Sequence, residues 1–165
     1  MRILLRLCLL AALVALGWWL WTVFFPNPET VIRKRLDKVA TLISFGTKED
    51  NIAKIANVQQ LTGYFATNIE ITVDTPAQSK QTLTGRDELT QAALGVRSVL
   101  SGLSVEFLDQ TITLSADKTE ATVSLTGKAR VPGDRDLLVQ ELKFYLRKIN
   151  GDWLIVRIET IRTLT

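Results

Sequence analysis

The sequence predicts an α+β domain, three N-terminal helices packed in a strongly bent antiparallel sheet, preceded by one transmembrane helix. Three observations carry that prediction. Apolar residues recur at helical spacing through most of the chain before Gly102, and at strand spacing after it. A switch of apolar parity between Phe107 and Leu108 marks a bulge, and bulges bend sheets. Two strand-like arms, Leu137–Ile149 and 153–165, flank Asn150-Gly151-Asp152, where Asn-Gly suits the positive φ angles of a type I′ hairpin turn. A bent sheet leaves a concavity, and the helices are the only segments able to fill it.

The first element is apolar. From Leu7 to Phe25 there is no charged residue, and 19 residues at a rise of about 1.5 Å span roughly 28 Å, close to the hydrocarbon thickness of a bilayer. Trp18, Trp19 and Trp21 sit towards one end, as in an interfacial aromatic belt. Ala15-Leu16-Gly17 also offers a signal-peptide cleavage site. The apolar run continues past it, so the expectation is a retained anchor over residues 1–25, with residues 3–25 in the membrane. Arg2 and Arg6 precede the span; Arg33, Lys34, Arg35 and Lys38 follow it. The export-like start favours a cytoplasmic N-terminus and an extracytoplasmic domain in a bacterial-type inner membrane, with the later charges forming the wet face of a helix. Residues 26–27 are a short linker, and 28–165 the domain.

That domain opens with Asn27 as N-cap, Pro28 at the first helical position and Glu29 on the helix dipole. Ile32, Leu36, Val39 and Ile43 give the buried face, and Gly46 is expected to close the helix in the left-handed conformation. Thr47-Lys48-Glu49-Asp50 resembles a capping box and opens a second helix to about Thr62, ended by Gly63. Ile69, Ile71 and Val73 alternate with polar residues as a first strand, and residues 81–83 suggest a short second one. Gly85 leads into a third helix with Leu89, Ala93, Val96 and Leu100 on one face.

After Gly102 the period is two. Val105 and Phe107 share one parity, Leu108, Ile112 and Leu114 the other. Ala121, Val123, Leu125, Ala129 and Val131 alternate with polar partners. Asp117-Lys118 and Pro132-Gly133-Asp134 supply the turns. Leu138, Leu142, Phe144 and Leu146 define the buried face of the first hairpin arm. The second arm begins apolar on both faces, and Trp153 is expected in the core.

Composition narrows the chemistry. The 165 residues are 47% hydrophobic and 22% charged, enough for one packed core. The formal charge is +3, but of 20 basic residues Arg2 and Arg6 precede the apolar run, leaving 18 against 17 acidic ones. Nothing in that balance supports nucleic-acid binding. There is no histidine, and the one cysteine, Cys8, lies in the apolar segment. Histidine acid–base chemistry, Ser-His triads and Cys-His nucleophiles are excluded, and neither a zinc site nor any other metal or cofactor site is expected.

The order helix, helix, strand, helix, then long bulged strands ending at an Asn-Gly-Asp-Trp turn resembles the nuclear transport factor 2-like superfamily, which includes ketosteroid isomerases and SnoaL-like cyclases. The resemblance rests on Tyr64-Phe65-Ala66-Thr67-Asn68-Ile69, on Thr84-Gly85-Arg86-Asp87-Glu88-Leu89 and on Asn150-Gly151-Asp152-Trp153. It implies a cone-shaped fold that hosts enzymes, scaffolds and ligand carriers alike. Its isomerases use an aspartate base with a tyrosine and a second acid, and its cyclases often a histidine; no such set maps onto this chain, so no catalytic residue is assigned. Tyr64, Asp109, Gln140, Arg157 and Glu159 are the candidates for lining a pocket. Gln140 shares parity with buried positions, so it either faces that pocket or satisfies a nearby backbone group. The resulting expectation is a membrane-anchored, non-catalytic module that binds a protein partner or a small apolar ligand. The alternatives are an isomerase, dehydratase or cyclase acting on a lipophilic substrate, and a structural homodimer or envelope-complex assembly subunit.

Overall fold

The computed structural model describes residues 27–75, 78–134 and 137–161, together with Val14. The chain divides into two units, Met1–Val31 and Ile32–Thr165. Among the described residues no helix is long and apolar enough to cross a membrane. The expected span over residues 3–25 lies, Val14 apart, outside the described residues.

Helix α1 (Pro28–Ile43) starts as the sequence dictates, with Asn27 Oδ1 accepting from the Glu29 N–H at 3.0 Å. Its Ile32, Leu36 and Val39 are completely buried. It does not end on a left-handed Gly46. Ser44 Oγ bonds back to the Ala40 carbonyl, and Phe45 pairs through its backbone with Leu103. The bridge draws the chain off the helix before Gly46, which keeps an ordinary φ.

Helix α2 (Asn51–Thr62) is capped by Asp50, whose carboxylate accepts from the Ala53 N–H at 2.7 Å. Thr47 is not the cap, because Asp50, the acid of the expected box, is itself the N-cap and the helix starts only at Asn51. Gly63 stops α2 in right-handed geometry. Helix α3 (Arg86–Val99) follows Gly85, at φ 88°, a conformation that favours glycine. The expected face of α3 needs one correction. Val96 points outwards and Arg97 is buried in its place.

Six strands form one sheet: β1 (Phe65–Thr75), β2 (Gln78–Thr84), β3 (Ser104–Leu114), β4 (Glu120–Arg130), β5 (Leu137–Ile149) and β6 (Asp152–Thr160), in the order β2-β1-β6-β5-β4-β3. The sheet is mixed rather than wholly antiparallel. Strand β1 leaves α2 at the end where β6 begins, where Tyr64 O accepts from the Ile155 N–H at 3.0 Å, and the two run parallel. The β5–β6 turn has Asn150 at φ 52° and Gly151 at φ 92°, both positive as a type I′ turn requires. The β3 bulge falls between Leu108 and Thr111, with Asp109 at φ 53°. A second irregularity in β6 lets Leu146 face Ile155 and Tyr145 face Arg157, skipping Val156. That skip moves the inward-facing positions of the second arm from Trp153 and Ile155 to Ile158 and Thr160.

The buried face of the sheet carries Ala121, Val123, Leu125, Phe144, Leu146, Trp153 and Ile155. Helix α1 is tied to the sheet at both margins of this face. Arg33 Nη2 donates to Gln110 O and Ser44 Oγ accepts from Val105 N–H on β3, while Arg35 Nη1 reaches Asp152 at the β5–β6 hairpin.

Candidate functional site

The concave face is closed at one end and open at the other, and the burial gradient along three adjacent strands shows it. On β1, Phe65 and Ile69 are buried, Ile71 is half-buried and Val73 is 42% exposed. On β6, Trp153 and Ile155 are buried while Ile158 and Thr160 are half-buried. On β5 the chain runs the other way, from Leu138 at 61% exposure through half-buried Gln140 and Leu142 to buried Phe144 and Leu146. Register places Ile71 beside Ile158, Ile158 beside Phe144, and Leu142 beside Thr160. With Leu83 of β2 paired to Ile71, the open end is an apolar floor continuous with the core.

Gly127 shapes that floor. It faces Phe107 on β3 and Gln140 on β5, and a Cβ added there would stand 2.8 Å from Leu142 Cδ1. Leu142 therefore leans over the glycine. Phe107 in turn packs edge-on against Phe144, with ring centroids 5.4 Å apart. Gln140 marks the polar rim, its Nε2 reaching the carbonyls of Glu141 and Ile161, each at 3.4 Å.

The five residues singled out from the sequence do not converge on one pocket, and of them Arg157 and Glu159 are brought together. Gln140 alone lies on the concave face. Tyr64 sits at the α2–β1 join, its ring 4.9 Å below the Arg35 guanidinium. Asp109 is exposed at the β3 bulge, on the rim of a shallow depression with Ser124, Thr126 and Glu141 on the outer face. Arg157 and Glu159 pair with each other at 3.2 Å on that same outer face. Glu159 also accepts from Tyr145 Oη at 3.0 Å, and Arg157 covers the Tyr145 ring at 4.2 Å. These groups hold the outer surface of β5 and β6 in a mutually neutralised ladder.

One polar cluster was not foreseen. Arg97 is 4% exposed, donates through Nη1 to both oxygens of Glu49 and through Nη2 to the Leu42 carbonyl, and covers the Phe45 ring at 4.7 Å. Asn57 Nδ2 adds a bond to Glu49 Oε1 at 2.7 Å. Burial pushes the Glu49 carboxyl up, but the Asn57 and Arg97 hydrogen bonds and the arginine charge outweigh it, leaving the group below its ordinary value. The cluster is a staple between the α1–α2 loop and α3; a carboxylate held ionised by two donors is a poor proton donor. The signal in the sequence is an arginine at helical spacing from Ala93 and Leu94, and a glutamate, Glu49, just ahead of the second helix.

Among the described residues no three histidine, cysteine or carboxylate side chains converge as a metal site would need. No protein family's sequence model matches the chain, and no curated protein does. Solved structures do. A nuclear transport factor 2-like protein with a cystatin-like fold from Novosphingobium aromaticivorans is similar at a TM-score of 0.63 and 16% identity, over 92% of this chain and 86% of its own. A candidate scytalone dehydratase from the same species gives 0.60 and 18%, over 82% and 84%. A nuclear transport factor 2-like protein of Pseudomonas putida gives 0.62 and 11%, over 83% and 87%. The fold of this chain is nuclear transport factor 2-like.

Proposed function

We propose that this chain is a membrane-anchored, non-catalytic module that holds a small apolar ligand on the open end of its concave face. The observation that carries the reading is the apolar floor formed by Ile71, Leu83, Leu142 and Ile158, continuous with the core yet only half-buried. An apolar ligand seated there removes surface from water on both partners, worth about 25 cal/mol per Å². Gln140 at the rim gives such a ligand one polar contact for orientation. Arg157 and Glu159 lie on the outer sheet face, and Glu49 and Arg97 are taken up in their staple. The anchoring half of the reading draws on residues 7–25, uncharged and long enough to span a bilayer.

Native mass spectrometry of the full chain released from lipid nanodiscs tests the ligand. Wild type should carry a small-molecule adduct that a Val73→Asp/Leu138→Asp variant loses, since both positions are exposed enough to accept a charge without unfolding. Equal adducts on both proteins, or none on either, would sink the reading. Turnover of a steroid- or polyketide-like substrate by wild type would move the assignment to catalysis.

A further inference from the structure

Gln140 is the polar member of the trio Leu138, Gln140 and Leu142 that β5 turns towards the open floor. The two ends of its amide do different chemistry, since Nε2 only donates and Oε1 only accepts. The surroundings decide which end points where. The carbonyls of Glu141 and Ile161 each lie 3.4 Å from Nε2, and turning the amide over would set oxygen against oxygen twice. The donors are thereby engaged, while Oε1 accepts from no described residue. Gly127, opposite on β4, presents no side chain that could cap that oxygen. The floor therefore carries a hydrogen-bond acceptor with its position fixed and its partner missing.

We propose that the ligand of this floor is a neutral aliphatic alcohol, its hydroxyl donating to Gln140 Oε1 and its chain lying across Leu142, Ile158, Ile71 and Leu83. This rests on the ligand reading above and adds the chemistry of the ligand's polar end. The described residues of β1, β2, β5 and β6 that face the floor are all uncharged, so a carboxylate or phosphate would meet apolar surface without a counter-charge. A ketone or ether offers only an acceptor to an amide whose donors face two carbonyls, and Thr160, beside Leu142, already has a partner. A pure hydrocarbon would cover Oε1 and leave it without a bond; a hydroxyl satisfies it. The strip also suits an extended chain. Leu83, Ile71 and Ile158 stand on three neighbouring strands with β5 the fourth, about 14 Å at the usual strand spacing.

The test is photolabelling of the full chain in lipid nanodiscs. The probes are a medium-chain alkanol carrying a mid-chain diazirine, its methyl ether and the matching carboxylic acid. Labelled peptides are read by mass spectrometry and normalised to labelling of the nanodisc scaffold protein, which corrects for partitioning into lipid. The alcohol should label the β5 and β6 peptides about three- to tenfold more than the ether, as one net hydrogen bond allows, and the acid should label them least. Gln140→Met keeps the side-chain length and removes both polar atoms; it should bring the alcohol down to the level of the ether and leave the ether unchanged. The alcohol-to-ether ratio is read on wild type first, so a variant that fails to fold does not remove the test. Equal floor labelling by alcohol and ether on wild type overturns the alcohol and leaves the apolar floor standing. An excess that survives in Gln140→Met overturns the part given to Gln140. Floor peptides labelled by none of the three probes overturn the ligand reading and the alcohol together.

Discussion

At the scale of single residues, the Glu49–Arg97 staple gives the sharpest expectation. Glu49 is depressed below its ordinary 4.5 in the fold, so the unfolded chain takes up the proton first as pH falls. Its contribution is present in full above about pH 4.5 and is lost as pH falls through the lower folded value. Glu49→Gln leaves Arg97 buried without its counter-charge, and should cost about 3–5 kcal/mol near neutral pH. Urea denaturation should show a constant gap between the two proteins from about pH 7 down to about pH 4.5, narrowing below that towards pH 3. A gap that stays constant or widens in acid would assign the glutamate to packing instead. Asp117 acts equally in both proteins and cancels; Ser115 and Thr119 hydrogen bonds hold it down to about 2. Arg97 was illegible in the sequence because helical spacing admits Val96 and Arg97 alike on a face defined by Ala93 and Leu100. The choice is made by Glu49 and the Leu42 carbonyl, 48 and 55 residues away.

Among elements, what could be read in advance was what short-range chemistry decides. Strand β4 follows strict alternation because one face is buried, and a one-residue slip would turn every side chain to the wrong side. The β5–β6 turn is decided by two adjacent residues and stands where the sequence puts it; the β3 bulge that the parity switch announces falls later, between Leu108 and Thr111, and leaves Leu108 exposed on the outer face instead of beside Ile112 and Leu114. The parallel β1–β6 pairing joins residues some 90 positions apart, and nothing local encodes its direction. The open floor was equally hidden, since Leu138 and Leu146 share a parity and differ only in what lies above them. Gly127 is the test at this scale. Gly127→Ala meets Leu142 Cδ1 at 2.8 Å, and the leucine must swing off the floor. The contact is with the far end of a flexible, half-buried side chain that can turn away, so stability should change by less than about 1 kcal/mol, while the displaced side chain should weaken the adduct seen in native mass spectrometry. An alanine variant with an unchanged adduct would show that Leu142 does not shape the site.

For the molecule as a whole, the question is whether the fold needs its apolar N-terminal segment. The buried set of α1, α2 and the sheet lies within Ile32–Thr165, and its periodicity agrees with the observed burial in element after element. The fragment 28–165 should therefore fold alone as a cooperative unit. Trp153 is the position that tests this most severely, being 3% exposed on β6 directly after the hairpin turn, next to the residue that receives Arg35 from α1. Trp153→Ala should cost about 3–5 kcal/mol. Against a typical total of about 5–15 kcal/mol, that loss leaves the fragment marginal or unfolded at room temperature. Circular dichroism melts of the wild-type and variant fragments measure both claims. A wild-type fragment without a cooperative transition would mean that the core borrows from residues 1–27, and a variant melting within a degree or two of it would mean that Trp153 is buried without being needed.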